Sequence, residues 1–176
     1  MQEGRLELGI RYLEKNGFKT KVGKHVHDAY RFLAGKDEDR AEDLMDFFKD
    51  PGVKVIMATG GGYGSQRILS YLDMEIIHTN PKWLTGFSDT TALQLGILSQ
   101  AHLAFCTGFT FRDLEKPALD PLIEKTLMAC LLGDVFDIHE GQSVLPGVAQ
   151  GRLVGGNLDC LCALISLELF PFSVRP

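Results

Sequence analysis

The 176 residues suffice for one full domain, or for one domain and part of another, and 45% hydrophobic against 23% charged residues is ordinary for a globular protein. A net charge of −5 argues against nucleic-acid binding, which needs a basic face for phosphates. No apolar run approaches the roughly 20 residues of a membrane span. Met1-Gln2-Glu3-Gly4-Arg5 has the character of neither a signal nor a transit peptide, so a cytoplasmic protein without membrane contact is expected.

Leu6, Ile10 and Leu13 recur at helical spacing and predict a helix over 3–15, ended by Asn16-Gly17. Phe18 to Val22 alternates and reads as a strand. Helix followed by strand is half of a parallel βαβ unit, and no strand precedes this helix. Residues 23–37 read as loop with a short helical piece. His25 and His27, two apart, would suit a metal on a strand, and on a solvated loop they are ordinary surface residues. A helix follows from Asp37 to Phe48, its first turn acidic as the positive end of the helix dipole favours, and Asp50-Pro51-Gly52 stops it.

Val53 to Ala58 is a short β-branched strand, and Thr59-Gly60-Gly61-Gly62-Tyr63-Gly64-Ser65 follows it at once, before a helical stretch over 66–72. Four glycines within five positions exceed what a turn requires. They let backbone approach a ligand and could offer N–H groups to a phosphate or an oxyanion. The stretch fits neither the Walker pattern nor the dinucleotide fingerprint. A nucleotide-binding, flavodoxin-like domain would rest on this corner alone.

Ile76 and Ile77 begin an apolar piece that turns at Asn80-Pro81. Trp83-Leu84-Thr85 is the next strand. It leads through Gly86-Phe87-Ser88-Asp89 into a helix that is apolar on most sides, Ala92 to Leu98. Ser88 thus sits at a strand-to-helix corner, where a nucleophile has helix N–H groups beside it. The sequence departs from Gly-x-Ser-x-Gly, and Ser88 or Asp89 as a plain helix cap explains the same residues. Two such corners after consecutive parallel strands share the carboxyl edge of a sheet, where ligands bind.

Ala104 to Gly108 reads as a strand, 112–120 as loop, Pro121 to Leu132 as a helix ended by Gly133, and Val135 to His139 as a strand. An extended connection, 141–151, leads to Gly151-Arg152-Leu153-Val154-Gly155-Gly156-Asn157-Leu158 and an apolar helix over 159–169. Cys106, Cys130, Cys160 and Cys162 lack metal-ligand spacing and are expected to be buried free thiols. No metal and no cofactor is expected.

Four stretches together resemble the serine LD-carboxypeptidases, the muramoyltetrapeptide carboxypeptidases and related microcin-immunity peptidases. They are Phe32-Leu33-Ala34-Gly35 through Asp39-Arg40-Ala41, then Gly61-Gly62-Tyr63-Gly64, then Asn80-Pro81-Lys82 with Gly86-Phe87-Ser88-Asp89-Thr90-Thr91-Ala92-Leu93, and finally Gly151 to Leu158. The resemblance implies an α/β fold: an open, mostly parallel sheet flanked by helices, with a nucleophile elbow, over residues 1–140. Residues 141–176 would be a linker and the start of a second domain. It further implies Ser88 as nucleophile and an oxyanion hole from backbone N–H groups of Gly61 or Gly62 and of Asp89. The bond cleaved would be the L-to-D amide before the terminal D-alanine of a murein tetrapeptide. The family's first strand, and its glutamate and histidine, have no counterpart in this sequence. The chain is therefore expected to be shortened at both ends and nearly inactive, with a peptide-binding module or a nonfunctional remnant as the alternative. Loss of an interior strand would expose backbone edges and apolar faces, which predicts aggregation or a homodimer.

Overall fold

The computed structural model describes residues 3–116, 118–134, 137 and 141–165. Among the described residues three short parallel strands, β1 (Val55–Met57), β2 (Trp83–Gly86) and β3 (Cys106–Thr107), lie side by side in that order. Ile56 pairs with Leu84, Met57 with Thr85, and Thr85 with Cys106. The ladder runs on beyond the strands: Trp83 N–H donates to Lys54 O, and Ala58 N–H to Thr85 O. Gln94, fully buried, donates from Nε2 to the Cys106 carbonyl at 2.8 Å and so fastens the following helix to the sheet.

Strand alternation sorts the core into two layers. Ile56 and Leu84 face α2 (Asp37–Lys49), α3 (Met74–Thr79) and α4 (Thr90–Ala101), in a cluster centred on Phe48, Ile77 and Leu95. Met57 and Cys106 face the other way. They pack with α1 (Glu3–Lys15) and α5 (Pro121–Leu132) around Leu13, Phe109, Phe111 and Leu127. The protein is therefore α/β, a small parallel sheet flanked by helices, as the sequence led one to expect. A last helix, α6 (Leu158–Ile165), joins the first layer through fully buried Leu164.

The helix ends follow local chemistry. Asp73 caps α3 by accepting from the Glu75 and Ile76 N–H groups, and Asp120 caps α5 in the same way with Pro121 behind it. Gly17, at φ +86°, closes α1 while Phe18 N–H donates back to Leu13 O.

Several expectations change. Phe18 to Val22 is not a strand. Phe18 is held by the α1 terminus and packs into the second cluster, and β1 is an edge of the sheet among the described residues. The apolar piece that begins at Ile76 is part of a helix, because Asp73 caps it and Ile77 is drawn into the core, and the chain bends after it at Asn80. Within 112–120, a 3-10 turn spans Phe111–Glu115, with Asp113 accepting from Thr110 N–H at 2.9 Å. Of the four free thiols only Cys130 is buried; Cys106 and Cys160 are half-buried and Cys162 is exposed. The strand expected over 135–139 falls outside the described residues except for Asp137, as does the end of the 159–169 helix. Among the described residues no helix is long and apolar enough to cross a membrane.

Candidate active site

The corner after β2 is shaped by contacts at its base. Gly86 is buried, and a methyl group there would stand 2.3 Å from Thr90 Cγ2. Only glycine lets the strand end come this close to the first turn of α4. The chain then turns through Phe87, which is exposed, to Ser88, whose φ of +61° places a non-glycine residue in the left-handed region. That conformation costs on the order of 1–2 kcal/mol and persists only where the surroundings impose it. Thr91 N–H already donates to Ser88 O at 3.0 Å, so α4 begins as soon as the serine is passed. Ala92 N–H donates likewise to Asp89 O, and the N–H groups that precede these two have no carbonyl partner within the helix and lie beside Ser88. A strained serine between a strand and a helix is the geometry of a nucleophile elbow.

The glycine corner after β1 meets the elbow directly. A methyl group on Gly61 would lie 3.0 Å from Ser88 Cβ and 3.4 Å from Ser88 Oγ. Gly61 and Gly62 are exposed, and Gly62, at φ +144°, has open space where a side chain would project. Gly64 is buried, at φ +111°, under Leu33 and Arg40, and Arg40 Nη1 donates to its carbonyl at 3.2 Å. Asp37 holds the Arg40 guanidinium and also that of Arg67, at 2.9 Å from Arg67 Nε. The Arg67 hydrogen bonds, with Arg40 adding to them, hold the Asp37 carboxyl below the ordinary carboxylate range. The N-terminus of α2 is thereby tied to the far side of the glycine corner.

The two corners are clamped to each other by Asp89. Its Oδ2 accepts from Ser65 N–H at 2.9 Å and from Ser65 Oγ at 2.7 Å. Hydrogen bonds to a charged acceptor each contribute about 1.5–3 kcal/mol. Asp89→Ala, which removes both bonds, is expected to lower the unfolding free energy by about 3 kcal/mol or more, while Asp89→Asn, which keeps an acceptor oxygen, loses less than half of that. Urea denaturation of the three proteins checks this.

A third segment closes behind the serine. Asn157 N–H donates to Thr91 Oγ1 at 3.0 Å, and Asn157 Oδ1 accepts from Cys160 N–H at 3.2 Å as the cap of α6. Cys160 Sγ then rests 3.7 Å from the Ser88 carbonyl. Burial, helped by the Asp89 and Asp159 charges, pushes the Cys160 thiol up, so it stays protonated and does not compete as a nucleophile.

Ser88, Gly61 and Asp89 thus come together, with Gly62 on the rim. His25, His78 and His102 do not join them. His78 Nδ1 is bound to the Ala101 carbonyl at 2.9 Å, and His25 Nδ1 pairs with Asp28 at 2.8 Å, a contact that raises the His25 pKa. His102 ends α4 in the left-handed region, about 18 Å along the helix from the serine corner. His25, Asp28 and Asp39 also bring potential metal-ligand atoms within 4.8 Å of one another, on an exposed rim already engaged in its own ion pair. The sequence reading passed over three parts of the site: the Asp89 carboxylate as a clamp, the Thr91–Asn157 contact, and Arg112. A methyl group on Gly60 would stand 3.1 Å from Arg112 Cδ. None of these had a local signal, since the partners lie 24, 66 and 52 residues apart.

Residues 1–108 match the LD-carboxypeptidase N-terminal domain. The chain belongs to the LD-carboxypeptidase family. A protein of Bacillus subtilis named a probable murein peptide carboxypeptidase is 31% identical over 97% of this chain and 54% of its own length. The microcin self-immunity protein MccF of Escherichia coli is 35% identical over 96% of this chain and 58% of its own. The crystal structure of muramoyltetrapeptide carboxypeptidase from Oxalobacter formigenes superposes with a TM-score of 0.88. It covers 98% of this chain and 58% of that one, at 23% identity, a likeness of fold. The chain therefore spans little more than half the length of these LD-carboxypeptidases.

Proposed function

We propose that this chain carries the nucleophile side of an LD-carboxypeptidase acting on a murein tetrapeptide in the cytoplasm. The observation that supports this reading is the left-handed Ser88 with Gly61 pressed against it, at the meeting of two strand ends. In the proposed reaction Ser88 Oγ attacks the carbonyl of the amide before the terminal D-alanine. The oxyanion takes hydrogen bonds from the backbone N–H groups of Gly61 or Gly62 and of Asp89. As the C–N bond breaks, the proton released by Ser88 Oγ passes to the leaving D-alanine amine; water then adds to the ester carbonyl, its hydroxyl stays on the freed carboxyl group and its proton returns to Ser88 Oγ. No metal or cofactor enters this scheme. Residues 141–176 would start a second domain, and a homodimer would cover the open edge of β1.

A second reading is favoured by one observation: His25 and His78 are bound to other partners and His102 lies at the far end of α4 from Ser88. Without a base the hydroxyl stays protonated and is a weak nucleophile. On that reading the site holds a D-alanine-ended peptide and does not turn it over.

One experiment separates the two. The chain is mixed with a murein tetrapeptide, free D-alanine is assayed, and the amide resonances of Gly61, Gly62, Ser88 and Asp89 are followed by NMR. Release of D-alanine that Ser88→Ala abolishes supports the hydrolase. Shifted resonances without release support the binding module. Neither response sinks both readings.

A further inference from the structure

A carboxypeptidase must recognise a free terminal carboxylate, and neither the elbow nor the glycine corner supplies a cation for it. A cation for that carboxylate has to come from a side chain beside the two corners. Arg40 and Arg67 are consumed by Asp37. Lys82 lies at the opposite, amino end of β2 and spends its ammonium on the Asp50 and Val53 carbonyls. Arg112 is different. It is exposed, and among the described residues its guanidinium makes no hydrogen bond or ion pair.

Its position is fixed from below. Phe111 N–H donates to Ala58 O at 3.0 Å, which pins the start of the 3-10 turn to the end of β1. Phe109, Phe111 and Leu114 are buried on either side, so the turn cannot swing away. Asp113, the adjacent carboxylate, is occupied by Lys116 and Thr110 N–H and leaves Arg112 its charge. The Arg112 stem lies along Gly60, with Cδ 3.1 Å and Nε 3.5 Å from where a methyl group would sit. The next residue, Gly61, abuts Ser88. A bulkier residue at position 60 would displace the arginine.

The geometry points to Arg112 as the residue that selects substrates ending in a free carboxylate, by a charge-assisted contact to the terminal D-residue. The inference rests on the peptide-binding site proposed above. Guanidinium and carboxylate match in shape and charge, and a guanidinium with no partner among the described residues meets its anion without first breaking a pair with one of them.

The test uses the Ser88→Ala chain, so that nothing is turned over. Its affinity is measured for a murein tetrapeptide ending in D-alanine and for the same peptide ending in D-alanine amide. The free acid is expected to bind roughly 10- to 100-fold tighter, the value of hydrogen bonds to a charged group. Adding Arg112→Gln is expected to remove that preference while leaving affinity for the amide unchanged, and Arg112→Lys to keep part of it. A role confined to folding would weaken both peptides alike. A preference that survives Arg112→Gln overturns the inference and leaves the peptide site standing. Failure of the chain to bind either peptide overturns the site and the inference together.

Discussion

Gly86→Val is expected to destabilise the protein by about 3 kcal/mol or more and to dismantle the serine corner. The clash is with structure that cannot yield. A Cβ at position 86 would fall 2.3 Å from Thr90 Cγ2, 2.6 Å from its Cβ and 2.8 Å from its Oγ1. Thr90 is 3% exposed at the start of α4, and that helix is fixed to the sheet by buried Gln94 and by Leu93, Leu95 and Ile97. The strand end is equally fixed, since Gly86 O accepts from Gly108 N–H and from Thr107 Oγ1. Relief can come only by prising β2 from α4, and Ser88 lies between them. Gly86→Ala should show a milder form of the same effect, about 1–3 kcal/mol. Because the cause is one contact, Thr90→Gly should recover part of the loss despite its own helix cost of about 1 kcal/mol. A double-mutant cycle by urea denaturation reads the coupling directly. Additive losses from Gly86→Ala and Thr90→Gly would show that the clash is not the cause.

That contact also marks how far sequence reasoning reaches. The two corners were legible because runs of glycine, or a glycine before a serine, directly after a short apolar run have few structural explanations. The α/β class was implied by the resemblance, and the strands that alternate with helices agree with it. What escaped was chosen by partners distant in sequence. Phe18 to Val22 has the alternation of a strand, but a strand also needs a neighbour to pair with, and β1 offers none to it among the described residues. Ile76 and Ile77 are β-branched, and the Asp73 cap with burial of Ile77 outweighs that propensity. The sequence offers Asp89 as a helix cap or as an oxyanion-hole N–H, whereas its side chain makes no cap hydrogen bond and reaches Ser65. Arg112 lay in a polar stretch read as loop, and its nearness to Gly60 follows from the Phe111–Ala58 hydrogen bond. Local pattern locates the corners. The tertiary contacts decide what is brought to them.

The same logic predicts that Gly156→Val detaches α6 without unfolding the sheet. At φ +153° the position disfavours any L side chain, and a Cβ there would lie 2.2 Å from Thr91 Cγ2. Moving the loop outward breaks the Asn157 N–H bond to Thr91 Oγ1 and draws Leu164 out of the core, where it is fully buried. Burial of a leucine is worth about 1.5–3 kcal/mol and the hydrogen bond about 1 kcal/mol, so the segment should lose about 2–4 kcal/mol of protection. Amide hydrogen exchange is the direct measurement. Amides of residues 161–165 should exchange one to three orders of magnitude faster, while those of β2 and the second half of α4 keep their protection. The effect should also reach the site, because Cys160 loses its place beside the Ser88 carbonyl and Thr91 loses the contact that steadies the first turn of α4. If β2 loosened together with α6, the sheet and the helix would be one cooperative unit. If neither changed, the close approach of Gly156 to Thr91 would not be what holds α6 behind the serine.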